Sequence, residues 1–216
     1  MLITQRLVGM LSVLMLTWAA CAGIAWASPE SPLHTVTTST PTGTPVARVN
    51  VQDDSGDITF VPGSSGSVTR TAAWNSVEPS YSQSLSDGTL TIQAQCPSDV
   101  LDNQCSTSLV ITVPSTVIID AVTTNGDVQV TGFRSLTVAA SSTNGDINVS
   151  LDAPPTSLSM STINGTINGT IPAGTYALTA GTINGHVAVT GIKNDPTASD
   201  VISAHDMNGD ITLRGV

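Results

Sequence analysis

The sequence predicts an all-β, single-domain protein whose chain winds as a β-solenoid (a parallel β-helix) in coils of about 20 residues. Asn-Gly pairs recur along the second half of the chain, and successive Asn residues are separated by 19, 20, 20 and 24 positions. The same apolar pattern surrounds each pair, and no stretch beyond the N-terminal leader has helical periodicity. The repeated pairs are Asn125-Gly126, Asn144-Gly145, Asn164-Gly165, Asn184-Gly185 and Asn208-Gly209.

Residues 1–27 are predicted to be a signal peptide or an N-terminal membrane anchor. Arg6 is followed by an uninterrupted apolar stretch over 7–27, and the closing Ala-Trp-Ala ahead of Ser28 is typical of a signal-peptidase site. The same stretch is long enough to span a bilayer if it is retained, and it would then be the chain's contact with the membrane. Cys21 leaves lipidation as a third alternative. All three place the remaining chain outside the cytoplasm.

Residues 28–45 are predicted to be a linker, and residues 46–216 the folded domain. The segment is rich in Ser, Thr and Pro and has few large apolar side chains, so it has little surface to bury. We expect it to lift the domain away from a membrane or cell wall.

Cys96 and Cys105 are predicted to form a disulfide. They are the two cysteines beyond the leader, and eight residues separate them. In an oxidising compartment such a pair forms a local bridge. The alternative, a metal pair, has no His or third Cys near it in the sequence.

Four columns of apolar residues define the repeat. The positions six before, four before, three after and five after each turn Asn are apolar in nearly every unit, and the positions between them are mostly polar. Each unit is therefore two short alternating strands on either side of a turn. The frame also fits around Ser55, which makes six units. The column four before the Asn contains Ala121, Ala140, Met160, Ala180 and Ala204, and the column three after it contains Val128, Ile147, Ile167, Val187 and Ile211.

An antiparallel meander or sandwich is the alternative fold. Asn-Gly is the strongest short-range hairpin signal, because a type I′ turn needs positive φ at both residues. The constant side-chain size within each column favours stacked coils, in which like residues lie about 4.8 Å apart on neighbouring strands. The spacing of 24 reflects the segment "KNDPTASD", which is predicted to be a surface loop.

The units of the form Thr-Asn-Gly-Asp-Val/Ile resemble the bacterial "putative adhesin" domains, a family of unknown function with β-helical members. The resemblance covers about residues 46–216 and includes "DGTLTIQAQCP" and "SLVITVPSTVIIDAVTTNGDVQVTG". It implies an extracytoplasmic surface protein, in some cases linked to the cell envelope and its stress responses. It implies no reaction, ligand, cofactor or catalytic residue.

Charge and motifs exclude several classes of function. The net charge of −10 at pH 7 argues against nucleic acid and anionic lipid surfaces as partners, which both need a basic face. His186 and His205 are the histidines of the predicted domain, and His205-Asp206 is the weak candidate for a carboxylate-oriented base. No nucleophile elbow, phosphate loop or zinc-protease motif is present in the sequence. We therefore expect no enzyme activity and no cofactor.

Asp127 and Asp146 are weak candidates for calcium binding. In a solenoid they lie on neighbouring coils just after the turn, where two carboxylates repel each other. Calcium needs six to eight oxygen ligands, however, and Thr166 and His186 interrupt the Asp column. The alternative is that Asp is favoured at turns for local hydrogen bonding.

Two classes of function remain. One is an adhesin-like binding module for a cell-surface protein or wall polymer, and the other is a structural or stress-associated envelope accessory without a ligand. The last strand, "NGDITLRGV", has no polar cap after it and is expected to be an open edge that pairs with another copy or with a downstream partner.

Overall fold

The computed structural model describes residues 32–42, 45–98 and 104–216, so the predicted leader lies outside the described residues. The described residues form strands and no helix, and none of their segments is therefore a helix able to cross a membrane. In chain order the strands are β1 His34–Pro41, β2 Arg48–Ser55, β3 Ile58–Pro62, β4 Ser67–Trp74, β5 Ser80–Ser86, β6 Thr89–Gln95, β7 Cys105–Val113, β8 Ile118–Asn125, β9 Val128–Phe133, β10 Thr137–Asn144, β11 Ile147–Leu151, β12 Ser157–Ser161, β13 Ile167–Ile171, β14 Gly174–Asn184, β15 Val187–Thr190, β16 Ile192–Asn194, β17 Val201–Asn208 and β18 Ile211–Gly215.

The strands form two nine-stranded sheets, which face each other across one apolar core. Each repeat unit contributes one strand to each sheet, and neighbouring units pair in parallel. The β-solenoid prediction is therefore confirmed, and the antiparallel meander is excluded because strands joined by an Asn-Gly corner lie in different sheets.

The predicted columns are the core. Ile147 pairs in register with Val128 on one side and Ile167 on the other, and all three side chains are fully buried. In the opposite sheet Ala140 pairs with Ala121 and Met160. Alternation of Val, Ile and Ala with Thr and Ser thus places one apolar face of each strand inside and one polar face outside.

The order of the coils in space differs from their order in the chain at both ends. The spatial order is β6–β7, β2–β3, β8–β9, β10–β11, β12–β13, β17–β18 and β14–β15. The coil β2–β3 is therefore covered by β6–β7, which follows it in the chain, and the coil β17–β18 is covered by β14–β15, which precedes it. The sequence predicts a surface loop over 193–200, but Lys193 and Asn194 belong to β16, and the connection over 195–200 supplies the length for this return.

The prediction of an open edge at the C-terminal strand is wrong. Strand β18 pairs with β13 on one side and with β15 on the other, and β17 lies between β12 and β14. The unit β17–β18 lies between the two units that precede it in the chain, and the shared columns of the repeat allow it to pair with both. The open edge belongs instead to the coil β14–β15.

The opposite end of the solenoid carries an antiparallel cap, which consists of β1, β4 and β5. Strand β4 pairs with β7, β1 pairs with β4, and β5 pairs with β6. The predicted linker over 28–45 thus contains an ordered strand at residues 34–41. Its side chains are exposed, so backbone pairing and hydroxyl contacts such as Thr37 to Thr71, at 3.2 Å between their Oγ1 atoms, hold it rather than burial.

The cysteines form the predicted disulfide between Cys96 and Cys105. The bridge joins the end of β6 to the start of β7, at the corner where the other coils have an Asn-Gly pair or its Ser-Gly counterpart. It therefore holds the corner of the one parallel coil that lacks this short turn.

Candidate functional site

The turn asparagines form a continuous ladder along one corner of the solenoid. The Nδ2 group of Asn144 donates to Oδ1 of Asn125 at 2.8 Å, and Nδ2 of Asn164 donates to Oδ1 of Asn144 at 2.8 Å. In the next two coils, Nδ2 of Asn208 donates to Oδ1 of Asn164 at 2.9 Å, and Nδ2 of Asn184 donates to Oδ1 of Asn208 at 2.8 Å. These amides satisfy one another, and the corner is therefore built for coil stacking.

The carboxylates of the two calcium candidates accept backbone hydrogen bonds from the next coil. Asp127 Oδ1 accepts the Asp146 N–H at 2.8 Å, and Asp146 Oδ1 accepts the Thr166 N–H at 2.7 Å. Among the residues that the structure describes, no three His, Cys, Asp or Glu side chains are grouped for metal binding. The Asp side chains thus hydrogen-bond neighbouring coils to each other at the corner. Calcium binding there stays an untested prediction.

A hydroxyl column lies two residues before the turn Asn. Its side chains donate to the carbonyl of the glycine in the neighbouring coil; they are Thr123, Ser142, Thr162 and Thr182. Asp53 and Asp206 occupy this column in two coils and are buried. In both, Oδ1 accepts a local backbone N–H, and Oδ2 is buried without a hydrogen-bond partner. Burial raises the pKa of Asp53 from 3.8 to about 7, against the lowering effect of the Ser55 N–H.

The two histidines considered for catalysis lie apart from any buried site. The His186 side chain is exposed, and its Nδ1 lies 3.5 Å from Oδ1 of Asp210. His205 is exposed on β17, whereas Asp206 is buried, because successive residues of a strand point to opposite faces. The arrangement therefore does not orient His205 as a base through Asp206.

The strongest candidate site is the uncapped end, which we define as the coil formed by β14, β15 and β16. In the column three after the turn Asn, the inner members are fully buried, whereas Val187 of the uncapped end is 41% exposed. In the column five after it, Val130 is fully buried and Val189 is 36% exposed. Core positions of the repeat are thus open to solvent at this end.

Further apolar side chains extend this surface around the corner. Ile183, directly before the last Asn of the ladder in space, is 71% exposed. Met207 and Ile163, which hold the same position in the next two coils, are 45% and 40% exposed. An apolar stripe therefore leads from the polar corner to the uncapped end.

The cap closes the core at the other end by different means. Arg70 points inward from β4 and is almost completely buried, with Nη2 donating to the Pro79 carbonyl at 3.0 Å. Its guanidinium also lies 3.5 Å from Glu78 Oε1 and 5.0 Å from the centre of the Tyr81 ring. The buried Arg70 guanidinium, with its hydrogen-bond and aromatic partners, thus covers the apolar core at this end. The two ends of the solenoid are therefore chemically different.

Sequence reasoning missed the uncapped end because it placed the open edge at the C-terminal strand. One signal does point to the correct coil. Between Asp152 and Asp195 the chain has no Asp or Glu, although the whole sequence contains 16 of them. A partner that covers this stretch desolvates no carboxylate of it, so an apolar contact surface is favoured there over other parts of an acidic protein.

A family profile and one solved structure agree with this fold. The profile of a family described as Toastrack DUF4097 matches residues 31–214, and no curated protein sequence matches the chain. A solved "putative cell adhesion protein" from Clostridium sporogenes has a TM-score of 0.60 at 10% identity, covering 86% of this chain and 100% of that one. A "putative adhesin" from Bacteroides fragilis has a TM-score of 0.37 at 11% identity, covering 85% of this chain and 97% of that one.

Proposed function

The chain belongs to the Toastrack DUF4097 family, and on that basis we propose that it is a non-catalytic, adhesin-like binding module outside the cytoplasm. The disulfide supports an oxidising compartment, because such bridges persist there and are rare in the cytosol. The fold shared with the Clostridium sporogenes protein is consistent with an adhesin-like role. Its binding surface is the uncapped end.

One observation carries this proposal. Val187 and Val189 are exposed although they occupy columns that are buried in every inner coil with a valine, isoleucine or leucine at that place. Exposed apolar surface of this kind, next to unpaired strand edges, is typical of protein docking by strand addition. In the cap, the inward positions of β4 are buried and the edge strands β1 and β5 consist mainly of Ser and Thr.

A protein partner fits this surface better than a wall polymer. Carbohydrate sites rely on exposed aromatic rings. In this chain Phe60, Phe133 and Tyr176 are buried in the core, and Tyr81 covers Arg70. The half-buried ring of Trp74 stacks on His34 in the cap and is not part of the uncapped end. The uncapped end instead offers aliphatic side chains and free backbone groups.

The proposal is tested by photo-crosslinking in the native host. A photoreactive amino acid replaces Val187 in the full-length chain, and the matched control carries it at Val110, which is 40% exposed on the outer face of β7. We expect a discrete protein adduct from Val187 and none from Val110. Location outside the cytoplasm is tested separately: we expect protease added to intact cells to cleave the protein, or the protein to be recovered in the medium. No adduct at either position would favour the alternative, a structural envelope accessory without a ligand.

A further inference from the structure

We propose that the partner at the uncapped end is a second copy of this chain, joined end to end on a two-fold axis. This rests on the proposed function, since it assigns the partner of the same surface. The argument uses the strand edges, the charge and the size of the surface, and the difference between the two ends.

The strand edges are self-complementary. Strand β15 pairs with β18 on one side only, and β16 covers β14 only at Gly174–Tyr176, so Ala177–Asn184 has no second strand beside it. On this edge the Leu178 N–H donates to Oδ1 of Asn194 at 3.1 Å, and the edge beyond it has no strand partner. A two-fold axis perpendicular to the sheets places β15 antiparallel to the β15 of the partner and continues the opposite sheet in the same way. An identical strand always matches itself in this arrangement. Any other protein must supply two strands about 10 Å apart with apolar residues between them.

The charge of the surface permits this contact. Strands β14, β15 and β16 contain no Asp or Glu and one basic residue, Lys193. Two copies of a protein with a net charge of −10 repel each other at most other surfaces. The three strands of the uncapped end bring no opposing carboxylates to the contact, and the nearest ones, Asp195 and Asp200, lie in the connection after β16.

The size of the surface suits a stable dimer. The part of β14 that has no second strand beside it, Ala177–Asn184, is about 26 Å long at about 3.3 Å per residue. Two sheets about 10 Å apart, with their outward side chains, give a width of about 20 Å and an end face of about 500 Å². Two such faces bury about 1,000 Å² in total, which is the lower bound for a specific interface.

The cap restricts the assembly to a pair. A head-to-tail filament needs two complementary open ends, and the cap presents polar edge strands, β1 and β5, whose sequences are mainly Ser and Thr. Contact between two uncapped ends therefore closes the assembly at two copies.

The test uses two differently tagged full-length copies expressed together in the native host. Both carry the photoreactive amino acid at Val189, and we expect an adduct of twice the chain mass that contains both tags. In parallel, Val187→Lys should reduce co-purification of the two tags at least about tenfold, since a lysine on an edge strand blocks pairing. The matched control Val110→Lys should leave co-purification unchanged, and thermal unfolding followed by circular dichroism checks that both variants fold.

The outcomes separate the two proposals. An adduct with a different protein and none with both tags overturns the second-copy proposal and leaves the docking function standing. No adduct at all overturns both. Equal loss of co-purification in Val187→Lys and Val110→Lys overturns the assignment of the interface to the uncapped end.

Discussion

At the scale of single residues, the recurring glycines are required by stacking between coils. A Cβ atom on Gly126, Gly145 or Gly165 would overlap the carbonyl oxygen of the corresponding glycine in the neighbouring coil. The turn asparagines do not need a left-handed conformation, because Asp87 is the one non-glycine residue with positive φ in the described part of the chain. The Asn-Gly pair therefore combines an amide ladder with a position where two backbones approach closely.

Gly165→Ala should destabilise the protein strongly. The added methyl group meets the backbone of Gly145, which cannot move without breaking the pairing of two coils. We expect a loss of about 3 kcal/mol or more in the free energy of unfolding, measured by denaturant titration. Gly181→Ala is the control, since no atom lies within 4 Å of its added Cβ; equal losses in the two variants would contradict the stacking explanation.

Asp53 should make the protein less stable as pH rises. Its pKa is 3.8 when unfolded and about 7 in the folded protein, so the folded state binds the additional proton between these values. The stabilising contribution is complete below the unfolded pKa and is lost as pH rises through the folded pKa. We expect the free energy of unfolding to fall by a few kcal/mol across this window, on the order set by about 1.4 kcal/mol per pKa unit.

The Asp53→Asn variant checks this assignment. The amide keeps an Oδ1 acceptor for Ser55 and replaces the unpartnered Oδ2 with a neutral donor, so the fall in stability with pH should flatten. Asp120→Asn removes a carboxylate from the exposed face of β8 and should retain the wild-type pH dependence. If Asp53→Asn follows the wild-type curve, another group is responsible.

At the scale of elements, the coil β12–β13 differs from its neighbours at two core positions: one side chain is larger than its counterparts in the other coils, and one is smaller. The Ala column contains Met160 there, and the column five after the turn contains Gly169, where the other Asn-Gly coils have Val or Leu. A Cβ on Gly169 would lie 2.7 Å from Leu213 Cδ2 and 3.2 Å from Met160 Cε. The methionine thus fills the space that the glycine leaves, and the core keeps its volume across the two sheets.

The Met160–Gly169 pair should show strong coupling in a double-mutant cycle. Met160→Ala alone leaves a cavity and should cost about 2–4 kcal/mol, and Gly169→Val alone overpacks the core and should cost about 1–3 kcal/mol. The double variant restores the pattern of the other coils, so its loss in denaturant unfolding should be at least about 1 kcal/mol smaller than the sum. Additive losses would show that the two residues do not share one space.

Sequence periodicity predicts the structure within a coil better than the arrangement between coils. Ile147 and Ala140 were placed in the core because alternation and column identity follow from the strand repeat alone. The neighbour of a coil cannot be deduced in this way, because Val187 and Ile211 belong to the same column and the sequence pattern does not distinguish which of them pairs with Ile167. The uncapped end was therefore assigned to the wrong unit, and the pairing of β1 was missed because it depends on an edge strand rather than on burial.

At the scale of the whole molecule, the inserted coil makes the last two units depend on each other. Strands β14 and β15 pair with β17 and β18, and their remaining neighbour is the short β16. Deletion of residues 201–216 should therefore remove the hydrogen-exchange protection of β14–β16 while β8–β13 stay protected. In an ordinary solenoid the same deletion would only shorten the stack.

A second truncation controls for the loss of chain length. Deletion of residues 172–216 removes both end units and should leave β8–β13 as protected as in the first truncation. Retained protection of β14–β16 after the first deletion would mean that this coil pairs directly with β12–β13 and would contradict the dependence.

The return of the chain also bears on the order in which the protein is completed during synthesis. Residues 174–194 leave the ribosome before residues 201–216, yet their partners in the finished protein lie in that later segment. A solenoid that grows coil by coil can order each unit as it emerges, but in this chain the place beside β12–β13 is filled only when β17 and β18 have been made. Residues 201–216 thus supply, after the coil β14–β15 has emerged, the strands with which that coil pairs.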